Sequence, residues 1–116
     1  MAKKYLHLCS RGINRSPTSA SIAREIAREK GLDIKMFSSG FDNLVKNVSN
    51  ENRNYFEQYD LLIVMEGYMR RGLIKLGIPK KNIRCLEIPD EYQRNDPVLV
   101  DILKESLKLY IREEPL

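Results

Sequence analysis

HLCSRGINRSPTS, residues 7–19, puts a cysteine at the end of a short apolar run. A loop with one glycine and two arginines follows, and then Ser16-Pro17-Thr18. The run from Tyr5 to Leu8 predicts a strand. Past the loop, Ile22, Ala23, Ile26 and Ala27 recur at helical spacing, with Ser16 as the expected cap, Pro17 in the first turn and Gly31 as the stop. A strand, a loop of phosphate-binding length and a helix therefore follow one another within the first 31 residues.

Working outward, three more β-like runs lie at 33–37, 60–65 and 83–88. Between and after them the stretch 46–58 is polar and helix-compatible, 68–76 reads as a short helix ended by Gly77 and Pro79, and 96–112 is amphipathic. The Asn-rich stretch 40–54 shades from loop into helix, and there is no internal repeat or low-complexity segment. Strands that alternate with helices predict an α/β domain. Its parallel sheet is covered on both faces, its crossovers are right-handed, and its ligand crevice lies at the carboxyl ends of the strands.

The loop from Cys9 to Ser16 enters a helix N-terminus, where backbone N–H groups converge and the helix dipole is positive. That field attracts phosphate and favours the ionised form of a thiol, the form that attacks phosphorus. Arg15 can return a guanidinium over the loop and hold two phosphate oxygens with a fork that lysine lacks. Ser16 can offer its hydroxyl to the sulfur as well as cap the helix.

Cys9 followed by Arg15, Ser16 and Pro17 makes C-x5-R-S-P directly after a first strand. This resembles the phosphate-binding signature of the low-molecular-weight protein tyrosine phosphatases, and within that superfamily the small predicted tyrosine phosphatases of prokaryotes. The likeness extends through FSSG (37–40), YDLLIVME (59–66) and CLEIPDEYQRNDPVLV (85–100). Arg11, Gly12 and Asn14 stand where better-known members usually carry Gly-Asn and a second cysteine. The chain is also shorter than those enzymes. The expected fold is a single-domain three-layer sandwich over residues 1–116, with a four-stranded parallel sheet in order 2-1-3-4. The resemblance implies a metal-free, cofactor-free, two-step reaction through a phosphocysteine. Cys9 would be the nucleophile, residues Ser10, Arg11, Gly12, Ile13, Asn14 and Arg15 would cradle the phosphate, and Ser16 would stabilise the thiolate.

Expelling a tyrosine oxygen calls for a proton, so a positioned carboxylic acid is expected after the fourth strand. Asp96 precedes Pro97 at the start of a helix, the place of an N-cap, and is the reserve choice. Asp90 has no such structural duty, and PDEY resembles the family's acid followed closely by a tyrosine. Asp90 is therefore the expected acid and Tyr92 a candidate for the substrate rim. His7, inside the first strand, reads as sheet-face, and Cys85 as core.

Twenty Lys and Arg against sixteen Asp and Glu give a net charge of +4, spread along the chain, which suits an anionic ligand but is weak evidence for nucleic acid, and no nucleic-acid partner is expected. Two cysteines make no disulfide framework, the start lacks a secretory signal, and no run is long enough to span a bilayer. A cytoplasmic, membrane-independent protein is expected. Its partners would be a phosphorylated protein or a small phosphomonoester, and similar oxyanions. Three other readings remain open: a thiol-dependent arsenate reductase, a phosphocarrier, and a non-catalytic phosphate-binding module. The first would need a cysteine relay, for which only Cys85 is left.

Overall fold

β1, Lys3–Cys9, alternates between two buried faces. Tyr5, His7 and Cys9 point to one side and Leu6 and Leu8 to the other, all with almost no exposure. A strand buried on both faces belongs in the middle of a parallel sheet. The computed structural model, which describes residues 2–44 and 50–111, places it there. β1 pairs with β2, Ile34–Gly40, on one side and with β3, Leu61–Val64, on the other, while β4, Ile83–Cys85, pairs with β3. All pairings are parallel and the order is β2-β1-β3-β4, as expected, with Tyr5 level with both Met36 and Leu61.

Each face carries one apolar cluster. Tyr5, Cys9, Met36, Leu61 and Ile63 pack under α1, Arg15–Glu29, and α5, Pro97–Leu107. Leu6, Leu8, Leu62, Val64 and Ile83 pack under α3, Asn50–Glu57, and α4, Gly67–Lys75, which contribute Phe56, Met69 and Leu73. The short helix α2, Phe41–Leu44, follows β2 directly. In α5, Leu99, Leu103 and Leu107 recur every fourth residue, and all are fully buried. Each such leucine contributes roughly 1.5–3 kcal/mol, enough to hold a helix of this length on the sheet.

Several boundaries differ from the sequence expectation. α1 begins at Arg15, with Asn14 at the cap position and no side-chain capping bond, so Ser16 is not the cap. Its hydroxyl is directed toward Cys9 and the carbonyl of Ser39 instead. Pro17 falls in the first turn, where its missing N–H costs no intrahelical bond. The stop at Gly31 holds. With φ +68, its N–H donates to the Arg28 carbonyl and that of Leu32 to the Ala27 carbonyl, which together close the helix end. β4 ends at Cys85 rather than 88, because Glu87 adopts φ +55 and breaks the ladder, although the Leu86 and Ile88 amides still donate to Val64 and Met65. α5 ends at Leu107, short of 112, and the beginning of the 46–58 helix expectation lies outside the described residues.

Candidate active site

The loop between β1 and α1 stands at the carboxyl end of the central strand, where strands deliver ligands in this architecture. Gly12 has φ +75, and a Cβ there would come within 2.6 Å of the Gly40 nitrogen. Only glycine allows the loop to turn left-handed against the backbone that ends β2. The same wall holds the loop by two bonds: the Asp42 amide donates to the Ser10 carbonyl at 3.1 Å, and the Ser16 hydroxyl donates to the Ser39 carbonyl at 3.2 Å.

The turn brings the Gly12 N–H within 3.2 Å of Cys9 Sγ as a donor, while the thiol donates to Ser16 Oγ at 3.2 Å. Cys9 lines a cavity of about 260 Å³ together with Ser10, Arg11, Ile13, Asn14 and Asp90. Five of the seven expected phosphate-loop residues thus line one space, while Gly12 and the buried Arg15 are not among its lining residues. Asp90, from the coil after β4, lines the same space, with Oδ2 3.5 Å from Ser10 Oγ.

Arg15 is completely buried and held from several sides. Its Nη1 donates to the Ile88 carbonyl at 2.6 Å and meets a Glu66 carboxylate oxygen at 3.1 Å. Its Nη2 donates to Ser10 Oγ at 3.2 Å, and its Nε lies 3.7 Å from Asp90 Oδ1 with no hydrogen-bond partner. One end of the guanidinium is therefore anchored, and the Nε–Nη2 edge is turned toward Ser10 and Asp90, residues of the cavity wall.

Glu66 escaped the sequence reading. It ends the YDLLIVME run at the carboxyl end of β3 and stands at the cap position of α4, yet its side chain makes no capping bond there. A carboxylate at a strand's carboxyl end was the available signal, but its arginine lies 51 positions earlier.

Asp96 caps α5, accepting the Val98 amide at 2.9 Å with Pro97 in the first turn. It is not among the residues lining the cavity. Tyr92, expected at the rim, is partly buried against the apolar cluster under α1 and α5 and does not line the cavity either. Cys85 is half-buried beside the other cluster, and burial pushes its thiol pKa up. His7 is fully buried with Nδ1 2.6 Å from Ser19 Oγ. Desolvation, followed by the charge of Arg24, lowers its pKa from 6.5 to about 3.

No protein-family model and no curated protein matches the chain by sequence. Solved structures do match. The tyrosine phosphatase Wzb from Escherichia coli K30, in complex with phosphate, is 20% identical, with a TM-score of 0.69 over 93% of this chain and 95% of that one. The low-molecular-weight protein tyrosine phosphatase from T. tengcongensis is 15% identical, with a TM-score of 0.69 over 92% of this chain and 96% of that one. Vibrio vulnificus Wzb in complex with benzylphosphonate is 19% identical, with a TM-score of 0.66 over 93% and 96%. At these identities the likeness is one of architecture, spanning nearly the whole of both chains: this chain has the fold of the low-molecular-weight protein tyrosine phosphatases.

Proposed function

We propose that the chain is a cysteine-dependent phosphomonoesterase acting on phosphotyrosine in proteins. The observation that carries this reading is that Cys9 and Asp90 line one cavity together with residues of the β1–α1 loop. A nucleophile and a proton donor bordering the same cavity fit displacement at phosphorus. Structural neighbours bound to phosphate and to benzylphosphonate support an oxyanion ligand here.

Cys9 Sγ attacks phosphorus as the thiolate, the bond to the leaving oxygen breaks, and Asp90 gives that oxygen its proton. Charge on the equatorial oxygens is taken up by the loop amides and the Nε–Nη2 edge of Arg15. Once ionised, the sulfur can only accept hydrogen bonds. Gly12 N–H already points to it, and Ser16 can turn its hydrogen from the Ser39 carbonyl to the sulfur 3.2 Å away. In the second step Asp90 takes a proton from water as the water attacks the phosphocysteine, the S–P bond breaks, and inorganic phosphate leaves.

The test is a hydrolysis panel of phosphotyrosine peptides, phosphoserine peptides and small phosphomonoesters, run beside an arsenate-reduction assay. Cys9→Ser should abolish turnover while still binding inorganic phosphate, because the loop amides do not depend on sulfur. Substantial hydrolysis by Cys9→Ser would rule out the covalent route. An arsenate activity lost in Cys85→Ala would favour the reductase.

A further inference from the structure

Asp90 lies on a coil of eleven residues, 86–96, between β4 and α5. A general acid must be held near its proton's destination, so the question is what fixes this coil. Upstream, the Leu86 and Ile88 amides donate to the end of β3 and its continuation, and the Ile88 carbonyl accepts from Arg15. Residues 89–91 are exposed.

Downstream, the backbone turns back onto the start of α1. The Arg94 amide donates to Asn14 Oδ1 at 3.1 Å and the Asn95 amide to Thr18 Oγ1 at 3.0 Å. Asn95 sits at φ +63, a left-handed conformation that brings both amides inward and that asparagine accepts more readily than most residues. Thr18 is buried, and its hydroxyl hydrogen is committed to the Asn14 carbonyl at 2.8 Å, so its oxygen faces Asn95 as an acceptor. Two consecutive amides are thus received by side chains one turn apart on the element that carries Arg15. The exposed acid is slung between Arg15 on one side and Asn14 with Thr18 on the other.

We propose that Thr18, together with Asn14, is a positioning residue for the general acid, clipping the Asp90 segment to the phosphate loop so that loop and acid keep a fixed separation. This inference rests on the phosphatase reading above. It also gives the Asn14 side chain a structural use. Thr18 touches no reacting atom. Its effect passes through Asn95 to Asp90.

The experiment uses the full chain with phenyl phosphate, whose leaving group needs a proton, and dinitrophenyl phosphate, whose leaving group does not. Thr18→Val keeps the shape and removes the acceptor. It should lower kcat/KM, which reports the step that expels the leaving group, roughly tenfold on phenyl phosphate, part of the roughly 10²- to 10⁴-fold a positioned acid supplies. On dinitrophenyl phosphate, and in the inhibition constant of inorganic phosphate, the change should stay within about twofold. Thr18→Ser, which retains the hydroxyl, should restore the lost rate, and Thr18→Val should add nothing to Asp90→Asn. In Thr18→Val the Asn95 amide should exchange its hydrogen faster. Equal losses on both esters, or additive losses with Asp90→Asn, would overturn the clip while leaving the phosphatase reading intact. If the unsubstituted protein hydrolysed neither ester, the phosphatase reading would fail and the proposal with it.

Discussion

Arg15 is a cation without solvent, and the groups that neutralise it are unequal. Asp90 is half-exposed and 3.7 Å away, and in the proposed reaction it spends part of each cycle protonated. Glu66, at 3.1 Å, takes no part in the proposed proton transfers. Removing one partner of a buried ion leaves the other uncompensated. Glu66→Gln should therefore lower stability by roughly 1–3 kcal/mol in urea unfolding, the scale of a hydrogen bond to a charged group, and should weaken inhibition by inorganic phosphate. An unchanged unfolding midpoint would show that Asp90 and the Ile88 carbonyl suffice. Arg15 itself was legible from its spacing to Cys9. Glu66, Ile88 and Asp90 around it were not, because they lie past the ends of β3 and β4, and nothing local announces that their side chains and carbonyls converge.

Among the elements, α5 shows how a capping role can be told apart from the proposed acid role for two nearby aspartates. Asp96 holds the Val98 amide and lies off the cavity, whereas Asp90 lines it. Asp96→Ala should cost roughly 1 kcal/mol in thermal or urea unfolding, and Asp96→Asn, still able to cap, should be close to silent. Asp90→Asn should keep its melting temperature and slow phenyl phosphate by about 10²-fold or more. A leaving-group-dependent loss in Asp96→Asn would move the acid to the start of α5. The strands and most of the helices could be read because burial on both faces and fourfold leucine spacing leave direct marks on the sequence. The true start of α1 could not. Serine before proline imitates a cap, and only the approach of the β2 end shows that the Ser16 hydroxyl is engaged elsewhere. Likewise the end of β4 depends on one left-handed residue, Glu87, whose type gives no warning.

For the molecule as a whole, the acid sensitivity of folding should carry the mark of His7. Its folded pKa lies near 3 against an ordinary 6.5, because burial and Arg24 disfavour the charged ring. Between those values the unfolded chain binds a proton that the folded chain does not, so stability is complete above about pH 6.5 and falls as pH drops. This one group contributes about 1.4 kcal/mol per pH unit across the window. His7→Gln, which cannot titrate but can still pair with Ser19, should flatten the fall in urea midpoint between about pH 6 and 4 by one proton's worth. An identical slope in both proteins would mean that His7 accepts its proton without unfolding. The β2-β1-β3-β4 order has a further consequence for how the chain is made. During synthesis the central strand emerges before either neighbour, and its later flank, β3, is completed only at Val64. At ribosomal speeds of about 5–20 residues per second, one edge of β1 waits several seconds for β3. Until β3 arrives, that open edge makes β1 the stretch of nascent chain where a chaperone has most to protect.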